Sequence, residues 1–235
     1  LIDSYWIAEF KPWLTNLEKF QDEHPELVDS QFNWDDIHPR VMENGVKFPA
    51  GYIGAFPGYV TDHMLMYRKD LFDNPKYKEE FKNKYGYDLK VPNVNTSLEE
   101  FKDICEFFTR DTNGDGKIDL YGYCSASAKT AVDVIQEYAC WLKAEGGRFF
   151  EDWRNGNFRP MLNTSEALAA LKYHKDLLKY QPPGVTAYGV FEQTLAFQKG
   201  EVAMIYDWTE TIPDIEDKDK SLVAGKVGYD GAMPV

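Results

Sequence analysis

Apolar residues along this chain recur at helical spacing in some stretches and as short unbroken runs in others. In SLEEFKDICEFFTR, Leu98, Phe101, Ile104, Cys105 and Phe108 fall on one helical face, and Ser97 with Glu100 forms a capping box that starts the helix. Residues 76–85 predict a second helix, stopped by Gly86. Residues 131–145 predict a third, closed by Gly146 and Gly147, and the pair Asn163 and Glu166 opens a fourth near 167–180, ended by QPPG. FEQTLAFQKG is a short helix with Gly200 as its stop. VAMIYDW, a continuous apolar run, predicts a buried strand, YGYCSA and KVGYDGAMPV predict further strands, and Met64–Met66 is apolar and leads into Tyr67–Phe72. Residues 1–60 are rich in turns. Trp6, Ile7, Phe10 and Leu14 keep helical spacing until Pro12 interrupts it, and KFPAGYIGAFPGYV, with its glycine and proline punctuation, predicts extended strands. Helices alternating with short strands predict an α/β fold.

Length and charge narrow the partners. At 235 residues the chain has room for one or two lobes, and 43% hydrophobic residues suffice for a core. Twenty-six basic against 39 acidic residues, a net charge of −13, disfavour nucleic acid and anionic membrane surfaces. No apolar run is long enough for a membrane span. The chain opens on LIDSYW rather than Met and stops at VGYDGAMPV, so both natural ends are expected to lie outside it. Cys105, Cys124 and Cys140, odd in number and widely spaced, make no disulfide framework. Cys105 and Cys140 are expected to pack as small core residues.

Two patterns suggest chemistry. Aromatic residues reach 15%, and three segments pair one with an aspartate: Asp3 with Trp6, Tyr59 with Asp62, and Tyr206, Asp207 and Trp208 at a strand end. A pyranose has apolar C–H faces and a rim of hydroxyls, so flat rings beside carboxylates suit it. Trp208 is the foremost candidate. Trp141, in mid-helix, fits a core better. The second pattern is DTNGDGKIDLYG, residues 111–122. Asp111, Asn113, Asp115, the carbonyl of Lys117 and Asp119 occupy positions 1, 3, 5, 7 and 9 of an EF-hand loop, with Gly116 at the turn. Position 12, normally a bidentate Glu, is Gly122, and a strand rather than a helix follows. Calcium is the expected cofactor, as a structural staple rather than an active centre; the bland alternative is a solvated turn pivoting on Gly114 and Gly116. His24, His38, His63 and His174 sit in unrelated contexts, and no nucleophile elbow, zinc-protease or phosphate-loop motif occurs.

The order of motifs resembles the family 1 extracellular solute-binding proteins, the sugar-receptor subunits of bacterial ABC importers. MYRKDLF (66–72), TSLEEFKDI (96–104), WLKAEGGRFF (141–150), NTSEALAALKYHKDLL (163–178), FEQTLAFQKGEVAMIYDW (191–208) and KVGYDGAMPV (226–235) match in sequence over about three quarters of the chain. In the second of these, Leu98 stands where the family usually has Trp. The resemblance implies a partial two-lobe periplasmic-binding-protein fold of type II. Residues 1–60 would belong to the first lobe, 61–66 to a hinge crossing, 67–230 to the second lobe and 231–235 to the return to the hinge. It also implies a carbohydrate or polyol held without turnover in a cleft lined by the three aromatic–aspartate pairs, permease subunits as partners, and a periplasmic or extracellular site of action. It leaves open a lipid anchor on a segment absent here. Two other readings stand beside it: a calcium-dependent, glycosidase-like enzyme, and a non-catalytic calcium module mediating protein contacts.

Overall fold

The structure is a computed structural model that describes residues 7–47, 51–57, 61–130 and 133–234. The chain forms two compact units, one ending at Thr61 and the other beginning at Asp62.

In the first unit, α1 (Ile7–Phe10) stops just before Pro12, and α2 (Leu17–Glu23) is capped by Asn16, whose side chain accepts the Lys19 N–H at 3.1 Å. The short helix α3 (Pro39–Val41) leads into a wide turn over Met42–Lys47. Met42, Val46 and Ile53 form a small core with Leu17, Trp34, Ile37 and Val41 packed against it. The strands expected in KFPAGYIGAFPGYV do not form among the described residues. Ile53 is used to tie the loop to α2 instead: its carbonyl accepts the Leu17 N–H at 2.8 Å and its N–H reaches Glu18 Oε2 at 3.4 Å. Five Gly and Pro in this stretch favour such a turn over a ladder.

The second unit is built on β1 (His63–Arg68). After it come α4 (Lys69–Phe72), α5 (Pro75–Tyr85), α6 (Leu98–Phe108), α7 (Asp133–Ala144), the hairpin β2 (Phe150–Asp152) and β3 (Asn157–Pro160), and α8 (Ser165–Leu177). Then follow α9 (Val190–Gln198), β4 (Met204–Trp208), α10 (Ile212–Ile215) and β5 (Val227–Gly231). β1 is central, antiparallel to β4 on one side and to β5 on the other. The segment YGYCSA makes only isolated parallel bridges, Tyr121 with Val202 and Cys124 with Ile205. Between them Gly122 and Tyr123 turn their N–H groups to Thr109 Oγ1 and the Tyr180 carbonyl, which interrupts the ladder. The α8 cap is Thr164, not Asn163: its hydroxyl accepts the Ala167 N–H at 3.2 Å. Ser97 and Glu100 make the capping box that starts α6. The β2–β3 hairpin has no counterpart in the sequence reading.

Because successive strand residues point to opposite faces, the sheet divides two cores. Leu65, Tyr67 and Met204 face Phe101, Cys105, Tyr123, Trp141 and Leu177, drawn from α6, α7, α8 and the 121–124 segment. Met66 and Ile205 face Phe197 of α9, Ile215 and Val223. Trp141 sits wholly in the first core, its ring between Phe101 and Tyr173, and Cys105 is fully buried there. Cys140 is only half-buried. No helix among the described residues is long and apolar enough to cross a membrane.

One buried acid has a measurable consequence. Glu137 of α7 is 2% exposed, and both its carboxyl oxygens lie within 2.7 Å of the Tyr123 hydroxyl, which donates to it. Burial lifts its pKa from an ordinary 4.5 to about 8, the tyrosine bond opposing the shift and the nearby Asp207 adding to it. With the folded value above the unfolded one, Glu137 costs nothing below the unfolded pKa, and stability is lost as pH rises through about 8. Glu137→Gln should therefore gain on wild type between pH 5 and pH 8.5, by on the order of a few kcal/mol. Urea denaturation at both pH values checks this, and an identical difference at the two would contradict it.

Candidate functional site

The sheet ends in three aromatic rings. Antiparallel register sets His63 directly opposite Trp208 and Leu65 opposite Tyr206, so His63, Tyr206 and Trp208 share the face that carries the first core. Farther along that face the strands are covered by helices. At this end the three rings are only half-buried. His63 lies 4.9 Å from Tyr206, nearly parallel at 21°, and 3.5 Å from Trp208, tilted by 39°. Its Nε2 meets Gln136 Oε1 of α7 at 2.8 Å. One turn on, the Cys140 thiol lies beside the Tyr206 hydroxyl.

Asp62 stands at the rim. Its backbone is tied to Thr209 by an N–H to Oγ1 bond of 3.3 Å and by its carbonyl accepting the Thr209 N–H at 2.9 Å. Its exposed carboxylate accepts the His63 N–H at 2.9 Å. The structure thus brings Asp62, Tyr206 and Trp208 together. It does not bring Asp207 with them: alternation turns Asp207 to the opposite face, where it is 1% exposed. There it accepts the Thr194 hydroxyl at 2.6 Å and the Trp208 N–H at 2.8 Å. Burial raises its pKa and these donors oppose the rise. Gln193 adds a bond from Nε2 to the Tyr206 carbonyl at 2.9 Å, and the Thr211 hydroxyl donates to the Trp208 carbonyl at 2.8 Å. Asp207 therefore braces the strand from behind. Asp3, Trp6 and Tyr59 lie outside the described residues. His63 and Gln136 are the members that sequence reasoning missed. The available signal was the period of two that aligns His63 with Leu65 and Tyr67.

The rings suit a neutral, hydroxyl-rich ligand. Burial holds the His63 imidazole below its ordinary pKa, with the Gln136 bond and the Asp62 charge opposing, and burial pushes the Tyr206 phenol upward. Both are uncharged at neutral pH.

The 111–119 loop closes on itself. Arg110 and Leu120 pair through two backbone bonds of 2.8 and 3.1 Å. Asp111 accepts the N–H groups of Asn113, Gly114 and Gly116 at 3.1, 2.6 and 2.7 Å, which hold its carboxyl below the usual range. Asn113 accepts from Asp115, Asp115 from Lys117, and Asp119 from Thr112. The oxygen donors are of the class a hard cation takes. Among the described residues, however, no three His, Cys, Asp or Glu side chains converge where they could hold a metal. Gly122 cannot be replaced by the missing Glu, since a Cβ there would meet the Cys105 carbonyl at 1.9 Å.

Comparison with known proteins agrees with this fold. The mannitol-binding protein of Pseudomonas aeruginosa is 26% identical over 197 residues, 83% of this chain and 39% of that protein. Among solved structures, an ABC transporter solute-binding protein from Agrobacterium vitis S4 with bound D-mannitol superposes with a TM-score of 0.71 at 25% identity, over 99% of this chain and 48% of that one. Maltose-bound MalE3 of T. maritima gives 0.69 at 25% identity, over 99% and 51%. A ribitol complex from Agrobacterium radiobacter K84 gives 0.72 at 24% identity, over 99% and 53%. This chain thus spans well under two thirds of each relative. The characteristic pattern of the bacterial extracellular solute-binding proteins matches residues 11–234, nearly the whole chain, and the chain belongs to that family.

Proposed function

We propose that this chain carries part of the ligand site of an ABC importer's receptor subunit, which binds an oligosaccharide or polyol and returns it unchanged. The observation that carries the reading is the half-buried ledge of Tyr206, His63 and Trp208 with the open carboxylate of Asp62 at its rim. Rings supply apolar burial for C–H faces, and a carboxylate gives strong directional bonds to hydroxyls. Relatives solved with D-mannitol, ribitol and maltose support the ligand class. Work outside the cytoplasm, with or without a lipid anchor, and docking to permease subunits belong to the same proposal.

One feature of the ledge weighs against the glycosidase reading. Hydrolysis of that kind needs two carboxyl groups flanking one bond. Asp62 is exposed at the rim, outside β1, whereas Asp207 is buried and spent on Thr194 and Trp208. In the full-length protein, Trp208→Ala should weaken sugar binding by roughly 1–3 kcal/mol, about 5- to 150-fold in Kd. Calorimetry with D-mannitol and maltose measures this. Unchanged affinity in the variant would remove the ledge from the site, and sugar cleavage seen by chromatography would make the protein an enzyme.

Calcium at the 111–119 loop is a separate proposal, supported by the donor pattern alone. Asp111, Asn113, Asp115, the Lys117 carbonyl and Asp119 would hold the ion, which would relieve repulsion among the three carboxylates and stiffen the turn. Calcium should then raise the melting temperature of the full-length protein by the amount expected from RT ln(1 + [Ca]/Kd). Asp111→Asn combined with Asp115→Ala should erase that rise while sugar affinity is kept. A melting temperature indifferent to chelator would leave the loop a self-closed turn.

A further inference from the structure

We propose that His63 is the positioning and selectivity residue of the aromatic ledge: as a neutral imidazole held by Gln136 it sets the plane of Trp208 and favours uncharged ligands, and its protonation weakens capture. The proposal rests on the ledge being the ligand site. The geometry is specific. Trp208 is the last residue of β4, and the ring set against it is that of its directly opposed partner, at 3.5 Å. Tyr206 covers His63 at 4.9 Å, and the next element, α7, supplies Gln136 to its Nε2 at 2.8 Å. Parts from two strands and one helix thus converge on one imidazole.

The chemistry follows from the amide. With Gln136 Oε1 facing Nε2, the neutral ring must carry its proton on Nε2, and an added proton goes to Nδ1. The surroundings offer that cation little. The Gln136 bond favours it, and Asp62, just before the strand, is near enough to add to that. From α7, Glu137, with a pKa of about 8, holds its proton at neutral pH, and the Cys140 thiol is pushed up to about 11. From β4, Tyr206 is an un-ionised phenol, and Asp207 is turned away and engaged. Burial therefore outweighs the Gln136 bond and the charge of Asp62 together. A sugar laid over Trp208 removes more water from His63 and lowers its pKa further. The liganded protein then binds fewer protons than the free one, so affinity is complete above the free ring's pKa and falls as pH drops through it. A further fall of about half to one unit on binding corresponds to roughly three- to tenfold weaker capture in acid.

The test uses the full-length protein, D-mannitol and maltose as probes, and two readouts. Calorimetry between pH 5 and pH 8 should give a wild-type affinity that declines in acid, whereas His63→Phe, whatever its affinity at pH 7.5, should be flat. Independently, NMR titration of the four histidine rings should place His63 below 6.5 without ligand, move it upward in Gln136→Glu, and lower it when sugar saturates the protein. A His63→Phe variant that keeps the acid decline, a flat wild-type profile, or a His63 ring that titrates normally or ignores the sugar would overturn the proposal. The underlying reading fails by different signs: Trp208→Ala leaving affinity unchanged, or neither sugar binding at any pH. Either would take this proposal down with it.

Discussion

The register between β1 and β4 is the constraint on which the second unit depends. With His63 opposite Trp208, Leu65, Tyr67 and Met204 face α6, α7 and α8, while Met66 and Ile205 face α9 and α10. A slip of one residue would exchange the faces. Trp208 would then be driven toward Thr194, and Asp207 would stand among the rings. The clamp on Asp207 opposes that slip. Its carboxylate is held by the Thr194 hydroxyl and the Trp208 N–H, with Gln193 and Thr211 adding to them. Turning it over would leave buried donors without an acceptor, at a cost of the order of 1–3 kcal/mol each.

The same economy of polar groups appears on the other side of β4. α7 contributes three consecutive roles within two turns. Gln136 reaches His63, Glu137 meets Tyr123, and Cys140 lies beside Tyr206. A helix that presents these residues to one sheet end is fixed in rotation as well as in distance. Trp141 and Leu142, both almost fully buried, hold it against α6 and α8. The ledge is therefore carried by regular elements rather than by loops, which is the arrangement a preorganised site requires.

Local chemistry decided which parts of this were legible in the sequence. The capping box at Ser97 and Glu100 and the proline and glycine at the ends of α5 are short-range signals, and the helices lie where they say. Asn163 and Thr164 are both competent caps, but the helix starts at Ser165, one residue later than an Asn163 cap would set it, so the Thr164 hydroxyl takes the Ala167 N–H. YGYCSA reads as a strand, yet its middle residues bond to Thr109 and Tyr180, partners supplied from elsewhere in the fold. For the ledge, the aromatic–aspartate pairs brought Asp62, Tyr206 and Trp208 forward, but treated Asp207 as their equal. Alternation along VAMIYDW separates Asp207 from its neighbours, and it was hidden because the run is apolar on both faces. His63 was invisible for a related reason: its partners Gln136 and Trp208 are 73 and 145 positions away in sequence.

That separation explains how so acidic a chain offers a surface for an uncharged ligand. A net charge of −13 places carboxylates almost everywhere. Near the ledge they are disarmed one at a time. Glu137 keeps its proton under Tyr123, and Asp207 spends its charge on the backbone and hydroxyl that brace the strand. Asp62 remains open to solvent at the rim, where a charge is inexpensive and can still direct a hydroxyl. Rings left in such surroundings meet a sugar or polyol through its C–H faces. Among the described residues, a cation losing water over the rings regains the carboxylate of Asp62, and an anion is repelled by it. Charge is withdrawn from the ledge by the same bonds that hold its strand in register, so selectivity and fold rest on one set of interactions.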